Sequence, residues 1–301
     1  MSLVLHFDDE AGLASSLAEA LGWSAAPILS HRFPDGEWKL TLPARLPARV
    51  ALLRGLHQPN EKLAALMIAA PAARELGANH LTLVAPYLAY MRQDMAFQPG
   101  EAVSQRHVGR ALAAWFDAVL TIDPHLHRVS TMDEVVPRRR DIAVSAAAEI
   151  GRFVAGRVPG ALLLGPDEEA GQWVTVAAAA GGLDQGVCVK HRNGDHDVHV
   201  SLPGLALQGR AVVLVDDVAS TGRTLVEAAR AALAAGAVTV DVAVTHALFV
   251  GDALAQVKAA GVRHVWSTDS VPHASNAIPV APLLAAALCG PDGPAQAPGR
   301  P

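Results

Sequence analysis

The stretch AVVLVDDVASTGRTLVEAA, residues 211–229, decides how the chain is read. Its apolar run, Val212–Val215, has the composition of a strand buried on both faces of a parallel sheet. Two acids, Asp216 and Asp217, end the run. A short loop, Val218–Gly222, follows, and a helix begins near Thr224. In an open α/β sheet, ligands gather beyond the carboxyl ends of the strands. Carboxylates at this point are therefore poised above the sheet.

Each part of the stretch has a chemical use. The backbone N–H groups of Ser220–Thr224 open a helix and can wrap an anion. Thr221 and Thr224 add hydroxyls, and Gly222 lets the backbone approach a phosphate closely. The paired acids can accept hydrogen bonds from two adjacent sugar hydroxyls. Phosphate at one end and a diol at the other describe ribose 5-phosphate. The bland alternative is an acid-tipped strand followed by an ordinary N-cap at Ser220 or Thr221. Strand, acid pair, TGxT and helix in that order favour the ligand reading.

The alternation runs outward from this stretch. Strand-like runs fall at Val50–Leu53, His80–Ala85, Ala118–Ile122, Ala161–Leu164, Val187–Val189 and Val238–Val244. Helical patterns fall between them, at Leu13–Leu21, Glu61–Leu76, Ser104–Trp115, Ser145–Val154, Ala170–Ala180 and Ala253–Ala260. This order predicts βαβ units and parallel sheets. A break near Val136–Asp141, marked by the basic cluster PRRR, divides the chain into lobes 1–140 and 141–290. The lobes are of similar size, but no sequence repeat is strong enough to prove duplication. The tail 291–301 is rich in Pro, Gly and Ala, lacks apolar periodicity and is expected to be disordered.

Composition narrows the function classes. Of 301 residues, 51% are hydrophobic and 18% charged, which is a globular balance. A net charge of −5 gives no electrostatic case for nucleic acid or an acidic membrane surface, so small-molecule partners are expected. Cys188 and Cys289 have no metal-type or redox-type spacing, which suits reduced thiols in the cytoplasm. The N-terminus, MSLVLHFDDE, reads as a strand ending in acids, without the marks of a signal peptide. No apolar stretch is long and uncharged enough to span a bilayer.

Residues 211–229 resemble the phosphoribosyl-pyrophosphate-binding motif shared by phosphoribosyltransferases and ribose-phosphate pyrophosphokinases. Other elements are similar to the second family. HRFPDGEWKL (31–40) resembles its RFxDGE turn, APYLAYMRQD (85–94) its PYxxYxRQD segment and IDPH (122–125) its DLH element. GPDEEAG (165–171) resembles SPDxGG, KHR (190–192) the KRR at the base of a catalytic loop, and THALFVGDA (245–253) THPxxSGxA. PLLAAAL (282–288) resembles the family's C-terminal helix. The order holds from roughly residue 3 to residue 290.

The resemblance implies an α/β fold of two similar lobes, each a mainly parallel sheet flanked by helices, of the type I phosphoribosyltransferase-like kind. It implies transfer of the β,γ-diphosphoryl group of ATP to C1 of ribose 5-phosphate with Mg²⁺ as cofactor. Phe33, Asp35, Gly36, Glu37, Arg92 and Gln93 would contact ATP, and His125 and Asp167 would serve the magnesium site. Lys190 and Arg192 would stabilise the transferring group. Arg192, Asp216, Asp217, Ser220, Thr221, Gly222, Arg223 and Thr224 would hold ribose 5-phosphate. The DGE turn would serve a neighbouring subunit's ATP, implying a homo-oligomer, a dimer or a multiple of dimers.

Several positions depart from the pattern. Met95, Ala96 and Phe97 follow Asp94 where the family carries further basic residues, and Ser220 stands where an acid often precedes TGxT. Pro124 is expected to keep Asp123 extended. The segment after Arg192 is short and polar, as a compact flexible loop would be. Two other functions fit parts of the pattern: a phosphoribosyltransferase using the pyrophosphorylated sugar, and a non-catalytic relative that regulates an active synthetase. The first has no need of the N-terminal lobe; the second is motivated by the missing basic residues after Asp94.

Overall fold

The computed structural model of the chain describes residues 2–126, 131–137, 142–192, 198–202, 204 and 206–290. The basic cluster 138–140, the segment 193–197 and the tail 291–301 lie outside the described residues. The chain divides into two units, Met1–Val144 with Val280–Pro301, and Ser145–Pro279. The sequence pattern assigned 280–290 to the second lobe; their contacts instead join them to the first.

The first unit runs β1 (Ser2–Phe7), α1 (Ala11–Leu21), β2 (Ser24–Arg32), β3 (Trp38–Thr41), β4 (Arg49–Leu53), α2 (Pro59–Glu75), β5 (His80–Ala85), α3 (Ser104–Trp115), β6 (Ala118–Ile122), α4 (Met132–Val135) and β7 (Ile142–Val144). Its sheet has the order β3-β2-β1-β4-β5-β6-β7. Only β2–β3 is antiparallel. Continuous apolar runs explain the centre: Val50–Leu53 and Leu81–Ala85 are buried along almost their whole length, as strands covered on both faces must be.

The second unit runs α5 (Ala147–Arg157), β8 (Leu162–Gly165), α6 (Gly171–Gly181), β9 (Asp184–Val187), β10 (Val189–Arg192), β11 (Val198–Ser201), β12 (Ala211–Ala219), α7 (Arg223–Ala234), β13 (Thr239–Ala247), α8 (Ala253–Ala259), β14 (Val262–Thr268) and β15 (Asn276–Ile278). Its parallel sheet has the order β15-β14-β13-β12-β8-β9, with β10 and β11 forming a separate antiparallel ribbon. The chain then returns to the first unit as α9 (Ala281–Cys289), which packs on α1 and β7.

The two sheets repeat one topology. In each, the first strand (β1 or β8) pairs on one side with the next strand (β2 or β9). On its other side it pairs with a later strand (β4 or β12), from which the sheet grows outward. The strand order therefore reverses between β1 and β4 and between β8 and β12. Such switch points open crevices at the carboxyl ends of the strands. Among the described residues no helix is long and apolar enough to cross a membrane.

Candidate active site

The crevice of the second unit lies where β8 and β12 end. The apolar run predicted a strand over Val212–Val215, but β12 continues to Ala219 because β13 pairs with it as far as Ala219↔Ala247. Asp216 and Asp217 thus sit on the strand, and the loop shrinks to Ser220, Thr221 and Gly222. Asp217 is buried and Asp216 partly so; the Asp216 carboxyl accepts the Asp217 backbone N–H at 2.9 Å. Asp167 follows β8 in extended backbone and leads a short 3₁₀ turn into α6.

These carboxylates crowd one another. Burial pushes the Asp216 carboxyl well above the usual carboxylate range, and the charges of Asp217 and Asp167 push it further. Burial likewise pushes the Cys188 thiol up to about 12, helped by Asp167 and Glu168, so this cysteine is inert. A crevice holding three neighbouring acids favours positive charge or hydroxyl donors. No group of three potential ligands among the described residues forms a ready metal cage. Mg²⁺, however, uses one or two carboxylates, completing its octahedron with water and phosphate oxygens. The donor set fits that demand.

α7 starts at Arg223. Gly222 is its N-cap, with φ of 71°, and no side chain caps the first turn. The positive φ favours glycine, and a Cβ here would also crowd Val257 Cγ2 at 3.0 Å. Thr221 and Arg223 are exposed, whereas Ser220 and Thr224 are half-buried. Loop and helix start follow directly on the acid-bearing end of β12. Lys190 and Arg192 lie on β10, paired in register with Val200 and Val198 of β11.

The remaining predicted residues belong to the first unit. Phe33, Asp35, Gly36 and Glu37 form the tip of the β2–β3 hairpin, closed by Phe33 N–H to Glu37 O at 2.9 Å and Gly36 N–H to Phe33 O at 2.9 Å. Gly36 has φ of 96°, and the Glu37 N–H donates to Asp35 Oδ1 at 3.2 Å. The tip is exposed, and the Phe33 ring packs edge-on against His31. Arg92 is exposed in the irregular segment between β5 and α3; Gln93 Nε2 donates to Met95 O at 3.1 Å. His125 follows β6 and is half-buried. Pro124 does not keep Asp123 extended: Asp123 has φ of 36°, and its N–H donates to Val144 O at 2.9 Å, so pairing with β7 overrides the local preference. Residues 127–130 lie outside the described residues, as does the polar segment after Arg192.

Residues 3–115 match the pattern described as the N-terminal domain of ribose phosphate pyrophosphokinase, and residues 200–283 the phosphoribosyl synthetase-associated domain. The chain is 39% identical to the ribose-phosphate pyrophosphokinase of Methanopyrus kandleri over 290 residues, covering 95% of this chain and 98% of that one. The chain belongs to the ribose-phosphate pyrophosphokinase family. Its similarity to the Methanosarcina acetivorans enzyme of the same name is 33% over 92% and 95% of the two chains. The phosphoribosylpyrophosphate synthetase of Mycobacterium smegmatis shares its fold, with a TM-score of 0.79, 20% identity and coverage of 94% and 96%.

In this pyrophosphokinase-family chain, sequence reasoning missed the crevice of the first unit. Asp9 and Glu10 follow β1, Arg54 follows β4, and Lys62 lies in the first two turns of α2. Arg54 bonds Asp9 Oδ1 at 2.5 Å and lies 3.5 Å from Glu10 Oε2. Lys62 donates to Gly55 O at 2.7 Å. Glu10 Oε1 accepts the Gly55 N–H. Burial raises the Glu10 carboxyl to about 7 despite Arg54, while burial and Lys62 lower the His57 imidazole to about 4. Asp9, Arg54 and Lys62 border a cavity of about 680 Å³ that Phe7 and Trp38 also line. The available signal was DDEAG at 8–12 beside DEEAG at 167–171, each following the first strand of its unit.

Proposed function

We propose that the chain transfers the β,γ-diphosphoryl group of ATP to the C1 hydroxyl of ribose 5-phosphate, giving phosphoribosyl pyrophosphate and AMP. The observation that carries this is the crevice of the second unit. There an uncapped helix start, hydroxyls and a glycine N-cap stand beside the Asp216 carboxyl, whose pKa is forced up. The N–H groups from Ser220 to Thr224, with the side chains of Thr221, Arg223 and Thr224, hold the 5-phosphate. Asp216 and Asp217 accept hydrogen bonds from the ribose hydroxyls.

Diphosphoryl transfer depends on positioning and charge neutralisation more than on covalent catalysis. Lys190 and Arg192 stabilise the transferring group, Lys190 as a mobile point charge and Arg192 as a planar fork that also reaches ribose 5-phosphate. Phe33, Asp35, Gly36, Glu37, Arg92 and Gln93 bind ATP, the hairpin tip serving a neighbouring copy in a homo-oligomer. Asp167 and His125 serve Mg²⁺, which neutralises phosphate charge when bound. The protein works in the cytoplasm.

The test is incubation with ATP, Mg²⁺ and ribose 5-phosphate, followed by phosphorus NMR. AMP together with a sugar-linked diphosphate is the expected result. An unchanged spectrum from folded protein would end this proposal.

A further inference from the structure

The phosphate-facing loop is held from behind. Leu248 and Phe249 both donate their backbone N–H to Ala219 O at 2.9 Å, and Val250 donates to Ser220 O at 3.0 Å. A trans peptide sets its C=O and N–H in opposite directions. With the carbonyls of Ala219 and Ser220 turned toward residues 248–250, the N–H groups of Ser220 and Thr221 point away from them. The direction of two of the donors assigned to the phosphate is thus set by residues outside the loop.

Phe249 is the middle residue of this hold. Its φ of 33° is in the left-handed region, uncommon for a residue with a side chain, and a fixed surrounding must maintain it. Its ring is buried and lies 5.2 Å from the His273 imidazole, tilted by 32°. His273 is itself fixed. Its Nδ1 accepts the Ser275 N–H at 3.1 Å, which leaves the ring proton on Nε2, and burial lowers its pKa. Its backbone N–H donates to Asn276 Oδ1 at 2.9 Å.

The Asn276 amide in turn reaches Ser267 Oγ at 3.0 Å and Val271 O at 3.1 Å. Beneath this, the hydroxyls of Thr268 and Ser270 bond Thr245 O at 2.6 and 3.0 Å, and His246 Nδ1 lies 2.8 Å from Ser270 Oγ. Buried polar networks of this kind rigidify what they hold.

We propose that His273 is a positioning residue for ribose 5-phosphate, acting through Phe249 to fix the direction of the Ser220 and Thr221 N–H groups. This rests on the function proposed above. The test is calorimetric titration of ribose 5-phosphate in the presence of Mg²⁺, with the Michaelis constant for ATP measured in parallel. His273→Ala is expected to weaken ribose 5-phosphate binding about five-fold, the scale of one lost aromatic contact, and to leave the ATP constant unchanged. His273→Phe, which keeps a ring against Phe249, is expected to restore binding to within about two-fold. Should His273→Ala not fold, Phe249→Leu probes the same contact from the other side, with the same loss expected. Wild-type affinity in His273→Ala, or equal losses for both substrates, would overturn the positioning role. Wild-type protein that binds no ribose 5-phosphate would instead overturn the functional proposal on which it stands.

Discussion

In the first unit the strand on the far side of the switch point, β4, is followed by Arg54 and Gly55. In the second, the topologically equivalent β12 carries Asp216 and Asp217. Both crevices receive acids from the other strand: Asp9 and Glu10 after β1, Asp167 after β8. The same scaffold therefore gives opposite electrostatics. In the first unit acids meet Arg54 and Lys62 and neutralise one another within the chain. In the second, acids meet acids, and Asp216 is pushed toward its protonated form. The first crevice is held by ion pairs within the chain, although burial there disfavours the ionised form of Glu10. A crowded one is stabilised by whatever brings cations or donors to it, as Mg²⁺ and a sugar diol do.

The comparison is broken most forcefully by Arg54→Met. It leaves Glu10 and Asp9 without their main counter-charge, and loss of one partner of a buried ion pair costs about 3–5 kcal/mol. Urea unfolding should show that loss, whereas Asp216→Asn should stabilise the ligand-free protein.

Acidity separates the crevices next. The folded pKa of Glu10, about 7, lies above its ordinary value of 4.5. Its contribution to stability is full below pH 4.5 and is lost as pH rises through 7. The loss is on the order of 3 kcal/mol. Glu10→Gln cannot ionise, so its stability relative to wild type should rise by that order between pH 4.5 and 8. A pH-independent difference would contradict it.

Function should divide the same way. Asp216→Ala is expected to raise the Michaelis constant for ribose 5-phosphate about 100-fold, the scale of lost hydrogen bonds to a charged group. Asp9→Ala should leave that constant within about two-fold of wild type. The smallest effect is a melting shift: millimolar Mg²⁺ should stabilise wild type by about 1 kcal/mol. Asp167→Asn should abolish the shift and Glu10→Gln should keep it.

Much of this was legible in the sequence because the signals were local. The strands His80–Ala85 and Ala118–Ile122 and the helix Ser104–Trp115 coincide with the predicted spans. Strand, acids, TGRT and helix start are contiguous, so their spatial grouping follows from backbone direction alone. Strands without clean patterns were lost. Most of β2 was missed because it carries Pro27 and is exposed along most of its length, which erases alternation. β14 was missed because Arg263 and His264 interrupt its apolar run; both bond Asp241 on β13, a pairing visible only in three dimensions. The Arg54–Glu10 pair was illegible for the same reason. It joins residues 44 apart whose meeting depends on β1 and β4 being neighbours.

Hydrogen exchange with ribose 5-phosphate and Mg²⁺ added tests the contrast between the crevices most directly. Amides from Asp216 to Thr224 should gain protection, while those from Arg54 to Lys62 should exchange as before. Protection confined to Arg54–Lys62, with 216–224 unchanged, would contradict the assignment of the sugar phosphate to the acid-crowded crevice.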